Sequence, residues 1–303
     1  MEHLLNIQNL SKEEILNIIN DAKAFKNGEK KSEVEGKAIT LMFCENSTRT
    51  RCSFEMAGLN LGLKVINFDT AHSSFSKGES LKDTVENLYA IGIQAIVLRH
   101  STTKIIDETL KVLKYPMKFI NAGDGTHAHP TQALLDFYTM LEELGTVENK
   151  KIAIVGDITH SRVAKSNIQL LSKFGVDIHL CAPDCMQLKE DLGVKNIHFH
   201  SNLKETIKDA DIVMALRVQK ERHAEEFKKL SINYEQDYRI SSELLDTYAK
   251  KDVLLMHPGP VNRDVELTSE LIDSKRGETI LKQAHNGVFV RMAILNSILK
   301  GNN

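Results

Sequence analysis

Short apolar runs alternate along this chain with segments whose apolar residues recur every three or four positions. Residues 38–44, 64–68, 95–98 and 117–120 have the length and β-branched content of buried strands. Between them, 52–61, 81–91, 103–113 and 130–144 show helical spacing. Ser11 with Glu14 three residues on is a capping box and predicts a helix through about residue 25. Pro130 suits a first helical position. After a short polar stretch at 145–150, a plausible hinge, the alternation restarts. Strands are predicted at 151–155, 176–180, 196–199, 212–216 and 253–256, with a helix from Arg162 to about 174, helices between the later strands and a final helix at 286–299. This alternation predicts an α/β fold: two doubly wound parallel-sheet domains with helices on both faces. A length of 303 residues suits two such domains, placed at 1–144 and 145–285.

Composition narrows the classes. Hydrophobic content is 42%, charged content 26% and net charge −2, so there is no global attraction to nucleic acid or to an acidic membrane surface. No apolar run approaches the ~20 residues of a membrane span. The first residues lack a signal peptide's basic region and apolar core, and four cysteines give no disulfide framework; a reducing cytoplasm is expected. Cys181 and Cys185 stand near His179 and Asp184, but no further metal ligands follow at a recognisable spacing, so no metal is expected.

In parallel α/β sheets, ligands bind beyond the carboxyl ends of the strands. The densest polar cluster stands there: Glu45-Asn46-Ser47-Thr48-Arg49-Thr50-Arg51, between a strand and a helix. A helix start offers unpaired N–H groups and the positive end of the dipole; hydroxyls and guanidinium forks beside it make a phosphate site. A lone serine or arginine there reads as an ordinary cap, whereas this concentration favours the anion. Five more clusters close strands: Arg99-His100, the run from His127 through His129 to Gln132, the run from Asp157 to Arg162, the run from Arg217 to Lys220, and His257-Pro258-Gly259-Pro260. Together they predict a cleft between the domains that receives anions. No Walker motif is present, and the sequence after Val155-Gly156-Asp157 lacks the later glycines of a dinucleotide fingerprint.

These runs, with Lys77-Gly78-Glu79-Ser80-Leu81-Lys82-Asp83-Thr84, Asn121-Ala122-Gly123-Asp124-Gly125 and the continuation to Val261-Asn262-Arg263, resemble the aspartate/ornithine carbamoyltransferase family over nearly the whole chain, and its aspartate branch most. The resemblance implies transfer of the carbamoyl group of carbamoyl phosphate to the amine of L-aspartate, an early step of pyrimidine synthesis, with no cofactor. It implies that Ser47, Thr48, Arg49 and Thr50 hold the phosphate. Thr50, Arg99 and His129 would face the carbonyl oxygen. Gln132 and the Pro258 and Gly259 carbonyls, in a turn stiffened by Pro260, would face the carbamoyl amide. Arg162 and Arg217, with Gln219, would clamp the aspartate carboxylates.

Residues 71–80 read by themselves as a surface loop with a solvated Lys77. The resemblance implies instead a homotrimer in which Ser73 and Lys77 reach a neighbouring subunit's site, with a regulatory chain as a possible partner. It also implies that the last helix, 286–303, packs back on the first domain. His127 and His160 are read as solvated loop histidines without a role. The nearest rival is an ornithine-specific enzyme, which needs an acidic partner for the side-chain ammonium and usually has Cys where Pro258 stands. A non-catalytic phosphate-metabolite-binding regulatory protein is a rival of a different class, disfavoured because Arg49, Thr50, Lys77, Arg99, His129 and Arg217 are all present.

Overall fold

The protein is represented by a computed structural model that describes residues 1–70, 78–218 and 233–300. It divides into two units, Met1–Leu135 with Ala284–Asn303, and Asp136–Gln283.

The first unit holds a four-stranded, all-parallel sheet. Its strands are β1 (Ala38–Phe43), β2 (Lys64–Phe68), β3 (Ala95–His100) and β4 (Lys118–Asp124), in the order β2-β1-β3-β4. Central strands of a parallel sheet are covered on both faces, which is why β1 and β3 read as unbroken apolar runs. Edge strand β2 is largely exposed and carries Lys64 and Asn67. Helix α1 (Lys12–Lys26) precedes the sheet, and α2 (Thr48–Asn60), α3 (Leu81–Ala90) and α4 (Ile105–Leu110) connect its successive strands. The capping box of α1 is complete: Ser11 Oγ accepts from the Glu14 N–H at 3.1 Å, and Glu14 Oε2 accepts from the Ser11 N–H at 2.8 Å. One core cluster packs Met42, Ile96, Leu98 and Phe119 of the sheet against Val85 and Leu88 of α3 and Ile106 of α4. Burying each of the larger side chains contributes about 1.5–3 kcal/mol.

Three elements differ from the sequence expectation. Helix α4 is shorter than 103–113, because Lys104 adopts a left-handed conformation (φ 57°) that stops the helix extending N-terminally. Strand β4 runs on to Asp124 although Asn121-Ala122-Gly123-Asp124 reads as loop; the polar side chains there are bonded internally, as described below. The C-terminal helix spans Glu278–Lys300 and starts well before 286. Its first turns carry Leu281 at 76% exposure, so they lack the amphipathic pattern that marks a helix in sequence.

From Ala284 onward that helix belongs to the first unit. The Lys26 ammonium donates to Asn286 Oδ1 at 2.9 Å, the Glu33 N–H to Asn296 Oδ1 at 3.0 Å, and Arg291 Nη1 to Ser53 Oγ at 2.8 Å.

The second unit repeats the plan with β5 (Lys151–Val155), β6 (Asp177–Cys181), β7 (Ile197–His200), β8 (Ile212–Ala215) and β9 (Leu254–Met256), all parallel, in the order β7-β6-β5-β8-β9. Helix α5 (Pro130–Leu144) enters it, and α6 (Arg162–Ser172) and α7 (Leu203–Ile207) follow β5 and β7; between β6 and β7, where a helix is expected, stands only the three-residue 3-10 turn Asp184–Met186. The unit boundaries fall inside α5 and inside the C-terminal helix. No described helix is long and apolar enough to cross a membrane.

Candidate active site

Strand order fixes where each sheet can bind a ligand. In the first sheet the chain passes from β1 outward to β2, then jumps across β1 to β3. The switch point therefore lies between the ends of β1 and β3, where the flanking connections leave in opposite directions and open a crevice. The β1 end leads through Glu45 into Ser47 and α2, and the β3 end carries Arg99. Ser47 is the N-cap of α2 in extended conformation (φ −160°), but its side chain makes no capping hydrogen bond and the first turn holds no acidic residue. Thr50 is buried at this start, while Thr48, Arg49 and Arg51 are exposed. The side chain of Arg99 is 15% exposed; its Nη1 donates to the Ala122 carbonyl at 3.4 Å and its Nε lies 3.5 Å from Glu45 Oε2. The Cys44 N–H donates to the Arg99 carbonyl at 2.9 Å, tying the two strand ends together.

Buried His129 and Gln132 flank the start of α5, and the Gln132 N–H donates to the His129 carbonyl at 3.0 Å. Asp124 fixes the segment that delivers them. Its Oδ1 accepts from Asn121 Nδ2 at 2.8 Å and from the Ala128 N–H at 3.1 Å; its Oδ2 accepts from the Lys104 N–H at 2.6 Å and lies 3.0 Å from His127 Nδ1. Burial by itself raises the Asp124 pKa. The bonds to His127, Asn121 and the Lys104 N–H outweigh it and hold the carboxyl below the ordinary value. His127 is thus not a solvated loop histidine: it is anchored to a buried carboxylate. Nothing in the sequence singles out Asp124 as the node, since it joins its own strand and the turn after it to the distant Lys104 N–H.

In the second sheet the chain winds from β5 to β6 and β7, then crosses back to β8 and β9, so the switch point lies between β5 and β8. Close approach of the two strand ends requires glycine at 156. Its φ is +133°, and a Cβ there would stand 2.9 Å from the Leu216 Cβ and 3.0 Å from the Leu216 carbonyl oxygen. After β5, Asp157 lies 2.9 Å from His160 Nδ1, so His160 is also paired rather than simply solvated. Ser161 then caps α6 by accepting from the Ala164 N–H at 3.1 Å, and half-buried Arg162 is the first helical residue. After β8, Arg217 is exposed and Val218 buried.

Glu266, which sequence reasoning missed, holds this second rim. Its Oε1 accepts from the Val218 N–H and from Asn262 Nδ2, both at 2.8 Å, and its Oε2 accepts from the Asn262 N–H at 2.8 Å; Asn262 Nδ2 also donates to the Val218 carbonyl at 3.1 Å. The residue after Arg217 is thereby clamped to the loop that follows Pro258-Gly259-Pro260. Burial raises the Glu266 pKa above the ordinary carboxylate value, against the lowering effect of these bonds.

That loop is fixed at its other end too. The His257 N–H donates to Gln283 Oε1 at 2.9 Å, Gln283 Nε2 donates to Asp136 Oδ1 at 2.7 Å, and Asn167 Nδ2 of α6 donates to Asp136 Oδ2 at 2.9 Å. The Gly259 N–H donates to His257 Nδ1 at 2.8 Å, Gly259 has φ +70°, and the Gly259–Pro260 bond is cis. Ser73, Lys77 and Gln219 lie outside the described residues. The structure thus gathers Ser47, Thr48, Arg49, Thr50 and Arg99 at the switch point of the first sheet, and Arg162 and Arg217 at that of the second.

Models of known families account for both sheets. Residues 2–142 match the carbamoyl-phosphate-binding domain of aspartate/ornithine carbamoyltransferases, and 148–298 match their aspartate/ornithine-binding domain. The chain belongs to the aspartate/ornithine carbamoyltransferase family. It is 44% identical to an aspartate carbamoyltransferase catalytic subunit of Aliarcobacter butzleri, over 100% of this chain and 99% of that one. Two similar solved structures are of Trypanosoma cruzi aspartate transcarbamoylase. One is a complex with carbamoyl aspartate and phosphate (TM-score 0.85, 32% identity, 98% of this chain and 95% of that chain). The other holds N-(phosphonacetyl)-L-aspartic acid (TM-score 0.86, 32% identity, 98% and 95%). The two sheets described here are therefore the carbamoyltransferase pair of parallel α/β domains, one for each half of the family's reaction.

Proposed function

We propose that this chain is an aspartate carbamoyltransferase of pyrimidine synthesis. The amine nitrogen of L-aspartate attacks the carbonyl carbon of carbamoyl phosphate, a tetrahedral intermediate forms, and the bond from that carbon to the bridging phosphate oxygen breaks. N-carbamoyl-L-aspartate and phosphate leave, and the amine's proton departs with the phosphate. The observation that carries the reading is the chemistry of the two switch points. One offers an uncapped helix start ringed by hydroxyls and Arg49, with Arg99 beside it, as a phosphate and its developing charge require. The other presents two guanidiniums, Arg162 and Arg217, to match the two carboxylates of aspartate.

Roles follow from chemistry. Ser47, Thr48, Arg49 and Thr50 bind phosphate, and Arg49 stabilises the leaving group. Thr50, Arg99 and His129 donate toward the carbonyl oxygen, where negative charge grows. The carbamoyl NH2 needs acceptors, supplied by Gln132 and the carbonyls of Pro258 and Gly259, with Pro260 stiffening their turn. Arg162, Arg217 and Gln219 orient aspartate. No covalent enzyme intermediate is involved; positioning and electrostatics carry the rate. Exclusion of water once both substrates are bound strengthens each charge contact. The working unit is a cytoplasmic homotrimer in which Ser73 and Lys77 of one subunit complete the site of the next, and it can carry a regulatory chain.

Phosphate release from carbamoyl phosphate tests the reading, with aspartate and ornithine offered separately. Turnover with aspartate alone, greatly reduced in Arg217→Ala, is the expected result. Turnover with ornithine overturns the assignment of the amino acid and keeps that of the phosphate half. Binding of carbamoyl phosphate without turnover on either amine overturns the reaction.

A further inference from the structure

At the outer edge of the second sheet, β6 and β7 run parallel with His179 opposite His198 and Cys181 opposite His200. Side chains two apart on a strand share a face, so Asp177, His179, His198 and His200 all project to one side of these two strands. Their polar atoms converge. Asp177 Oδ2 lies 3.0 Å from His179 Nε2, and Asp177 Oδ1 lies 3.1 Å from His198 Nε2. One ligand atom from each of Asp177, His179 and His198 falls within 4.8 Å of the others. The rings of His198 and His200 stack on that of His179, with centroids 4.5 Å and 5.1 Å away.

We infer that Asp177, His179 and His198 form a site for one divalent transition-metal ion of the zinc class. None of these residues takes part in the proposed carbamoyl transfer. The donor set is two imidazoles and one carboxylate, which suits Zn²⁺ and its borderline neighbours over Mg²⁺ or Ca²⁺. The spacing also fits. Ligands at ~2.0 Å from a tetrahedral ion stand roughly 3.3 Å apart, close to the 3.0 Å and 3.1 Å already present between carboxylate and imidazoles. An ion would replace those two contacts, with the stacked His179 and His198 rings turning so that both Nε2 atoms aim at it.

His200 supplies the supporting contact a metal-bound imidazole requires. Its Nε2 lies 2.8 Å from His179 Nδ1, which directs Nε2 of His179 toward Asp177 and fixes its ring. Lys151, on the neighbouring strand and paired in register with Asp177, sends its ammonium to the Lys208 carbonyl at 2.7 Å. Access is open on one side: the side chains of Asp177 and His198 are 47% and 52% exposed, while His179 at 13% anchors the base. The linear sequence hides the set because its members sit on two successive strands, and only their register brings the ligands together.

The test uses the untagged full-length protein stripped of metal. Zn²⁺ is titrated calorimetrically, and Co²⁺ is added as a spectroscopic probe of coordination. One equivalent of Zn²⁺ is expected, with visible Co²⁺ d–d absorption that Zn²⁺ displaces. His198→Ala, an exposed substitution whose folding is checked by circular dichroism, should abolish both, and His179→Ala likewise. His200→Ala should weaken Zn²⁺ binding by about 10–100-fold, the usual effect of losing a supporting partner. Cys52→Ser, which removes an exposed thiol elsewhere, should leave binding unchanged. Added Zn²⁺ should raise Tm in the parent and not in His198→Ala. Absence of saturable binding, binding that survives in a folded His198→Ala, or binding lost in Cys52→Ser overturns the proposal.

Discussion

Helices α2 and α6 both begin beside the switch point of a parallel sheet, behind a serine and with an arginine in the first turn, yet the two serines are used differently. Ser161 turns its hydroxyl to the Ala164 N–H and closes its own helix start. Ser47 makes no such bond, and neither does any acidic residue in its first turn. Capping one N–H removes it from service to a ligand. The first sheet thus leaves helix-start donors uncapped, as the proposed binding of a phosphate through many short hydrogen bonds requires. The second satisfies its helix internally and offers side-chain guanidiniums, which suit carboxylates held at a distance from the backbone. Under the proposed function, the same architecture would serve two kinds of anion, and the two serine caps mark the difference.

The sharpest way to break this contrast is to remove a charge at each switch point. Arg99→Ala should lower kcat in the phosphate-release assay by about 10²–10³-fold with aspartate saturating, because a donor toward the developing oxyanion is lost. Arg217→Ala should reduce kcat/KM for aspartate by roughly 10²-fold, mainly through KM, while carbamoyl phosphate binding persists. If both variants lost carbamoyl phosphate binding equally, the division of labour between the sheets would fail.

The nodes behind the two rims should respond differently to pH. Asp124→Ala leaves buried donors from Asn121, Lys104 and Ala128 unmatched and should cost about 3 kcal/mol in denaturant unfolding. Since the folded pKa of Asp124 lies below its ordinary value, this contribution is present above the ordinary carboxylate range and lost as pH falls through the lowered value. The Tm difference between parent and variant should therefore shrink in acid. Glu266 has the opposite sign. Its raised pKa means that stability declines as pH rises through that value, a decline Glu266→Gln should lack. The same variant should raise KM for aspartate a few-fold, or ~1 kcal/mol, by loosening the clamp on Val218.

The smallest effects test the caps. Ser161→Ala should cost about 1 kcal/mol of stability and leave carbamoyl phosphate affinity alone. Ser47→Ala should cost only a few tenths of a kcal/mol in unfolding, having no cap bond to lose, and should instead raise KM for carbamoyl phosphate. Equal unfolding costs for the two serines would remove the contrast.

Much of this plan is legible in the sequence. Strands β1, β3 and β5 are continuous apolar runs because both their faces are covered, and the alternation of strands with helical spacing gives two parallel sheets. The motif from Glu45 to Arg51, Arg99, and the loops carrying His129, Arg162, Arg217 and Pro258 stand out because each follows an apolar run. Where the chain is less legible, a long-range contact is the cause. Strand β4 extends through Asn121 and Asp124 because Leu5 and Lys104 supply partners from elsewhere. The C-terminal helix gains its first turns without an amphipathic pattern.

The sequence by itself determined the element types, the two-sheet plan, the family and the side chains able to bind anions, since these depend on local periodicity and on residues close together in the chain. Only the tertiary structure decided strand order, and with it which two loops share each switch point. It also decided that Ser47 leaves its helix uncapped while Ser161 does not, that Asp124 and Glu266 each brace the rim of their own sheet, and that Asp177, His179, His198 and His200 meet across two strands. The physical reason is the same in each case: a hydrogen bond, an ion pair or a shared face depends on distance in space, and the chain's local pattern carries no record of which distant residue will arrive there.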